Sequence, residues 1–177
     1  MTFNTYLKIC LQNDEFKQYW EADPVEEQLD RLLDKKAIWE ALSLIEDSEL
    51  QSILDNKGIK ANTQISTTIE FYEEAGKCPV ANFLNEITDQ KLKTKVLRDI
   101  LSLAVLGNSA REPLTKYIGD GIHELRTKQH NNIARTFYFF VFGNKIILTN
   151  GYIKKAQKMD EREFNKAKKY MKQYYER

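Results

Sequence analysis

The chain has 177 residues, 42% of them apolar and 30% charged, with a net charge of +1, two Cys and two His. That length suits one domain, or one small domain with an appendage, and the apolar fraction excludes wholesale disorder. Cys10 and Cys78 lie too far apart in sequence for a metal cluster and exclude a disulfide framework. The first ten residues hold no apolar signal-peptide core, and no run approaches the ~20 residues of a membrane helix, so a reduced, cytoplasmic protein with no membrane partner is expected.

The total charge hides a division. Residues 1–60 carry seven Lys+Arg against thirteen Asp+Glu, a net of −6. Residues 61–177 carry twenty against thirteen, a net of +7. The expected organisation is an acidic helical module over 1–60 and a basic domain over 61–177, an asymmetry that suits a nucleic-acid partner for the second part.

In chain order, Phe3, Tyr6, Leu7, Cys10 and Leu11 recur at helical spacing. Asn13 or Asp14 can cap a short helix through Tyr19 and Trp20. Asp23-Pro24-Val25-Glu26 signals another start, with Leu29, Leu32, Leu33, Ala37, Trp39 and Leu44 along its apolar surface. Ser48-Glu49-Leu50-Gln51 caps a further helix that Gly58 can end. The character changes at about Ala61. Gln64–Tyr72 alternates Ile65, Thr67, Ile69 and Phe71 with polar residues, the pattern of a half-buried strand.

Pro79 opens a helix with Val80, Phe83, Leu84 and Ile87 on one stripe. Asp89 caps a second, with Leu92, Val96, Ile100 and Leu103, stopped by Gly107. A loop with Pro113 and Gly119 is expected next. Ile122–Lys128, Ile133–Phe142 and Lys145–Lys154 read as strands, the last two joined by the tight-turn pair Gly143-Asn144. Asp160-Glu161-Arg162-Glu163 caps a final helix carrying Phe164, Ala167, Met171 and Tyr174 on one side. The order of strand, two helices, three antiparallel strands and helix predicts an α+β fold, with helices gathered on one face of a mostly antiparallel sheet.

The usual enzyme signatures are missing. The seven glycines form no phosphate loop, and there is no Gly-x-Ser-x-Gly elbow. Glu124 adjoins His123, but neither His123 nor His130 belongs to a cluster with metal spacing, so no metal or cofactor is expected. What remains is a basic constellation. Arg126 ends the first meander strand, Arg135 opens the second and Lys154-Lys155 close the third. Antiparallel connections bring these ends to one edge, with His130 in the turn. Clustered cations without paired carboxylates suit a polyanion. They also suit metal-free RNA cleavage, which must deprotonate a 2′-hydroxyl, stabilise the phosphorane charge and protonate the 5′-oxygen. Arginines brace a phosphate bidentately, and packed cations depress one another's pKa, which favours a proton-moving lysine or histidine. Solvated strand-end charges are the alternative.

On the final helix Lys166, Lys168, Lys169 and Lys172, with Tyr170, Tyr174 and Tyr175, suit RNA contact with stacking, or a solvated amphipathic face. Lys116 and Tyr117 in the preceding loop, and His123, are further candidate RNA contacts. On the second meander strand Thr136, Tyr138, Phe140 and Phe142 face one way, and Arg135, Phe137, Phe139 and Val141 the other. Both faces are apolar, so both need cover. Two helices can cover one. The final helix, the acidic first part or another chain must cover the Arg135 face, which leaves a homodimer open.

The residues Phe71-Tyr72, Pro79-Val80-x-x-Phe83-Leu84, Gly121-Ile122-His123-Glu124-Leu125-Arg126 and Arg135-Thr136-Phe137-Tyr138-Phe139-Phe140 occur in a telling order. With the stretch Ile146 to Lys158, and Glu163 and Ala167 beyond it, they resemble the RelE/HigB-type toxins of bacterial toxin–antitoxin modules, in the phage-derived HigB-like branch. The resemblance covers about residues 64–175. It implies a RelE-like antiparallel sheet and a metal-free, ribosome-dependent mRNA endonuclease that acts on mRNA on the ribosome and is inhibited by a cognate HigA-like antitoxin. It also implies that Arg126 and Arg135 match the family's sheet arginines, Lys154 and Lys155 its basic strand end, with Lys158 beyond, and Tyr152 its aromatic position. Asn150 replaces a histidine common in this branch, and Lys158-Met159-Asp160 replaces Lys-x-Pro. Phe3-Asn4-x-Tyr6-Leu7 through Trp20 resembles the opening of HigA-type antitoxins, so the first 60 residues are candidates for restraint of the basic sheet in cis. Two other readings stand: a ParE-like toxin that poisons gyrase, and a catalytically inactive toxin-like module that binds an antitoxin.

Overall fold

A computed structural model describes residues 1–22, 67–142, 144–154 and 160–177. The expected helices between Asp23 and Gly58, the strand start at 64–66, Gly143 of the hairpin, and Lys155 and Lys158 lie outside those residues.

The Thr2 hydroxyl accepts from the Thr5 N–H at 3.2 Å and caps α1 (Phe3–Cys10), whose stripe Phe3, Tyr6, Leu7 and Cys10 is buried. Asn13 Oδ1 accepts from the Phe16 N–H at 2.9 Å and starts α2 (Asp14–Ala22). Pro79 occupies the first turn of α3 (Pro79–Glu86), where its missing N–H costs nothing. The Asp89 carboxylate accepts from the N–H groups of Lys91 and Leu92 to start α4 (Gln90–Leu106). Gly107 ends α4 at φ 49°, where a Cβ would stand 2.5 Å from Thr67 Oγ1. Asp160 caps α5 (Glu161–Tyr175), accepting from the N–H groups of Arg162 and Glu163.

Five strands form one sheet, β1 (Thr68–Phe71), β2 (Thr115–Gly119), β3 (Ile122–Gln129), β4 (Asn132–Val141) and β5 (Lys145–Ile153), in the order β1-β5-β4-β3-β2. β1 runs parallel to β5, and the other neighbours are antiparallel, so this α+β sheet is mixed. The expected loop around Pro113 and Gly119 is corrected: Thr115–Gly119 is a fifth strand. Its five residues earn strand geometry from their partner, not from their own pattern. β3 supplies the ladder, and the buried Thr115 hydroxyl lies 2.6 Å from that of Tyr138.

Each face of the sheet builds one apolar cluster. On the first, Ile69, Phe71, Leu125, Ala134, Tyr138, Ile146 and Leu148 meet α3 and α4. Helices α1 and α2 complete this same cluster with Phe3, Tyr6, Leu7, Cys10 and Phe16. The Tyr6 ring packs 5.4 Å from that of Phe71, and its hydroxyl donates to Asn85 Oδ1 at 2.7 Å. The Phe71 N–H donates to Met1 O at 2.9 Å. Arg98 of α4, almost fully buried, donates to the Trp20 carbonyl and lies 5.3 Å from the Trp20 ring centroid, so a cation meets the negative end of α2.

On the second face α5 lays Ala167, Phe164, Tyr170 and Met171 over Ile122, Phe137, Phe139 and Ile147. Among the described residues the final helix, not α1 or α2, is therefore the cover on the Arg135 face. Among the described residues no helix is long and apolar enough to cross a membrane.

Candidate nucleic-acid interface

α5 covers only part of its face. It begins beside β5, where the buried Asn150 donates through Nδ2 to the Glu163 carbonyl at 3.1 Å and to Glu163 Oε2 at 2.9 Å. Asn150 thus pins the first turn of α5. Among the described residues no helix covers the strand length beyond that turn, and antiparallel register arranges what stands there in rows.

In one row Arg126 of β3 is directly opposite Arg135 of β4, and Arg135 is opposite Tyr152 of β5. The next row outward is Lys128 opposite Ile133, with Lys154, just past β5, bonded to the Ile133 carbonyl through its backbone N–H at 2.7 Å. The row on the inner side is Lys116, Glu124 and Phe137. Because strand side chains alternate, Arg126, Lys128, Glu124, Lys116, Arg135, Tyr152 and Lys154 all belong to the α5 face.

The expectation of cations without paired carboxylates is corrected. Glu124, two residues before Arg126 and thus on the same face, is buried between the two arginines. Arg126 Nε donates to Glu124 Oε2 at 2.9 Å. Arg135 Nε lies 3.3 Å from Glu124 Oε1, close enough for an ion pair but with its N–H not aimed for a hydrogen bond. Glu112 lies 3.6 Å from Arg126 Nη1. Among the described residues, the carboxylates on these arginines are thus Glu112 and Glu124, not those of α1 or α2. Two arginines share one buried carboxylate, which preorganises them and leaves hydrogen-bonding capacity on both guanidinium forks.

Burial, with the Arg126 charge beside it, holds the Arg135 pKa below the usual guanidinium value, while Glu124 opposes that shift. Burial raises the Tyr152 pKa, and its hydroxyl accepts from the Asp160 N–H at 3.3 Å. Tyr152 is therefore a neutral phenol near pH 7, with a proton to give.

The remaining candidates separate. His123 is on the opposite face, opposite Tyr138, with its ring stacked 5.2 Å from the Tyr138 ring and in edge contact with that of Tyr117 at 5.1 Å. It stands three residues from Arg126, and an odd spacing on a strand puts the two on different faces. Burial lowers the His123 pKa, so it is neutral at pH 7. His130 is exposed at the tip of the β3–β4 hairpin at φ 53°, outside the rows. Lys169 is exposed on α5, and Lys166 and Lys168 are engaged by Glu163 and Asp120.

Lys128, Lys95 and Asp99 were not among the expected site residues. An open depression of about 320 Å³ adjoins the Arg126–Arg135 row and is lined by both arginines with Pro113, Leu114, Ile133, Lys128, Lys95 and Asp99. Lys128 was legible as Arg126 plus two. Lys95 and Asp99 come from α4, across the sheet, and only the tertiary fold brings them here. The arrangement can hold a phosphodiester in two planar donor forks, with a phenol and ammonium groups alongside.

Residues 83–172, just over half of the chain, match the family model described as Phage derived protein Gp49-like (DUF891). No curated protein matches the chain.

Proposed function

The chain belongs to the phage-derived Gp49-like family, which is known as a toxin-like family in toxin–antitoxin systems, and from that membership we propose that it is a type II toxin that cleaves mRNA on the ribosome. The observation that carries this reading is the lateral row Arg126, Arg135 and Tyr152 on the uncovered end of the α5 face.

In the proposed reaction the 2′-hydroxyl oxygen attacks the adjacent phosphorus and its proton passes to solvent. The bond from phosphorus to the 5′-oxygen breaks, leaving a 2′,3′-cyclic phosphate and a 5′-hydroxyl. Arg126 and Arg135 hold the non-bridging oxygens and meet the charge that develops on them. Lys154 adds a cation at the same row end. Tyr152 donates the proton that the 5′-oxygen takes up as it leaves. An antitoxin, whether a separate HigA-like chain or the acidic segment 23–60, would act by setting carboxylates against these cations.

The test is primer extension on transcripts in a translating extract, comparing the full chain with Arg135→Gln. The native chain should give discrete cuts, and loss of one phosphate-stabilising fork should lower their rate by about 100-fold. Intact transcripts accompanied by gyrase-dependent DNA breaks would establish the ParE-like alternative. Intact transcripts and normal growth would establish an inactive, antitoxin-binding module.

A further inference from the structure

We propose that the depression against the outer edge of β3 is a nucleobase subsite that selects guanine, an inference that rests on the RNA-cleaving reading of the row beside it. β2 reaches β3 only as far as Thr115, opposite Leu125, and the last link is the Arg126 N–H donating to Leu114 O at 2.8 Å. From Thr127 to Gln129, β3 has β4 on one side and, among the described residues, no strand on the other. The depression lies at that gap. Its volume of about 320 Å³ is at the small end of ligand sites. Pro113, Leu114 and Ile133 give it apolar walls suited to a flat ring.

Its polar end is a donor beside an acceptor. Lys95 Nζ lies 2.5 Å from Asp99 Oδ1. Asp99 is only 2% exposed, the least exposed polar group of the lining. Burial raises its pKa, and Lys95 and the Thr127 side chain of β3 oppose that shift. A carboxylate has about four lone-pair sites, so these two partners leave acceptor capacity. Guanine sets an acceptor, O6, beside two parallel donors, N1–H and the N2 amine. That edge matches an ammonium next to a carboxylate. Uracil offers a single N–H between two carbonyls, which a carboxylate repels, and adenine and cytosine turn a ring-nitrogen lone pair towards it. Arg126 and Arg135 line the depression and also form the phosphate row, so the base and the phosphate of one nucleotide meet a continuous surface.

The test is titration calorimetry of the purified full chain with guanosine 3′-monophosphate, uridine 3′-monophosphate and inorganic phosphate. The guanosine compound should bind about tenfold or more tightly than the uridine one, the discrimination typical of a bidentate polar match. Asp99→Asn should erase that preference. Ile133→Trp, on a half-exposed wall, should fill the slot and bring both nucleotides to the level of phosphate. Equal affinities, no nucleotide binding, or a preference that survives both substitutions overturns the subsite. Cleavage of transcripts is scored separately. Cuts with no guanosine preference in the binding data sink the subsite alone, and a guanosine preference in a protein that never cuts sinks the nuclease reading alone.

Discussion

The two faces of the sheet are finished differently. On the first, α3, α4 and the N-terminal helices bury β4's Ala134 and Tyr138 in one continuous cluster. On the second, α5 buries Phe137 and Phe139, and its first turn leaves Arg135 of the same strand beyond it. A strand can therefore be core on both faces and still present a charged site, if one covering helix is shorter than the strand. Where that helix begins decides where core ends and site starts, and here Asn150 holds the beginning in place.

The sharpest way to break the comparison is to remove cover from the first face. A chain of residues 61–177 loses Phe3, Tyr6, Leu7, Cys10 and Phe16 from the core. Each fully buried apolar side chain is worth about 1.5–3 kcal/mol, and a domain's whole stability is about 5–15 kcal/mol. The truncated chain should be unfolded or aggregated by circular dichroism and size-exclusion chromatography, and a cooperative melt would show that α1 and α2 are dispensable.

A smaller effect probes the covered half of the second face. Phe137→Ala should cost about 3–5 kcal/mol in a denaturant titration, since the ring is fully buried between Tyr152 and Phe164. A loss under about 1 kcal/mol would mean that α5 does not seal this cluster.

The smallest effect concerns His123 on the first face. Its pKa is lowered by burial, so the unfolded chain binds this proton more readily than the folded one. Stability from that source is complete above the ordinary histidine value of about 6.5 and is lost as pH falls through it. His123→Phe should flatten the fall of Tm between about pH 7 and 5, and parallel Tm curves would remove His123 as a contributor.

Helix starts were legible because caps are local. Asn13, Asp89 and Asp160 each act within three residues of themselves. The strands of the meander were legible from alternation, and the meeting of Arg126 with Arg135 follows from antiparallel turns. β2 was not, because its strand geometry comes from pairing with β3. Glu124 and Lys128 could have been found by counting two residues either way from Arg126, and the same count would have removed His123. Lys95 and Asp99 could not, since they look like any (i, i+4) pair on a helix until α4 is packed beside the gap in the sheet.

The short reach of β2 also bears on solubility. An unpaired strand edge is a template for the edge of another copy, and chains that grow this way precipitate. Here the open stretch carries Lys128, with Arg126 at its inner end, so two copies approaching edge to edge would bring like charges together. Neutralising either residue therefore has a second cost besides weaker anion binding: it takes away the electrostatic guard that keeps the sheet from adding strands.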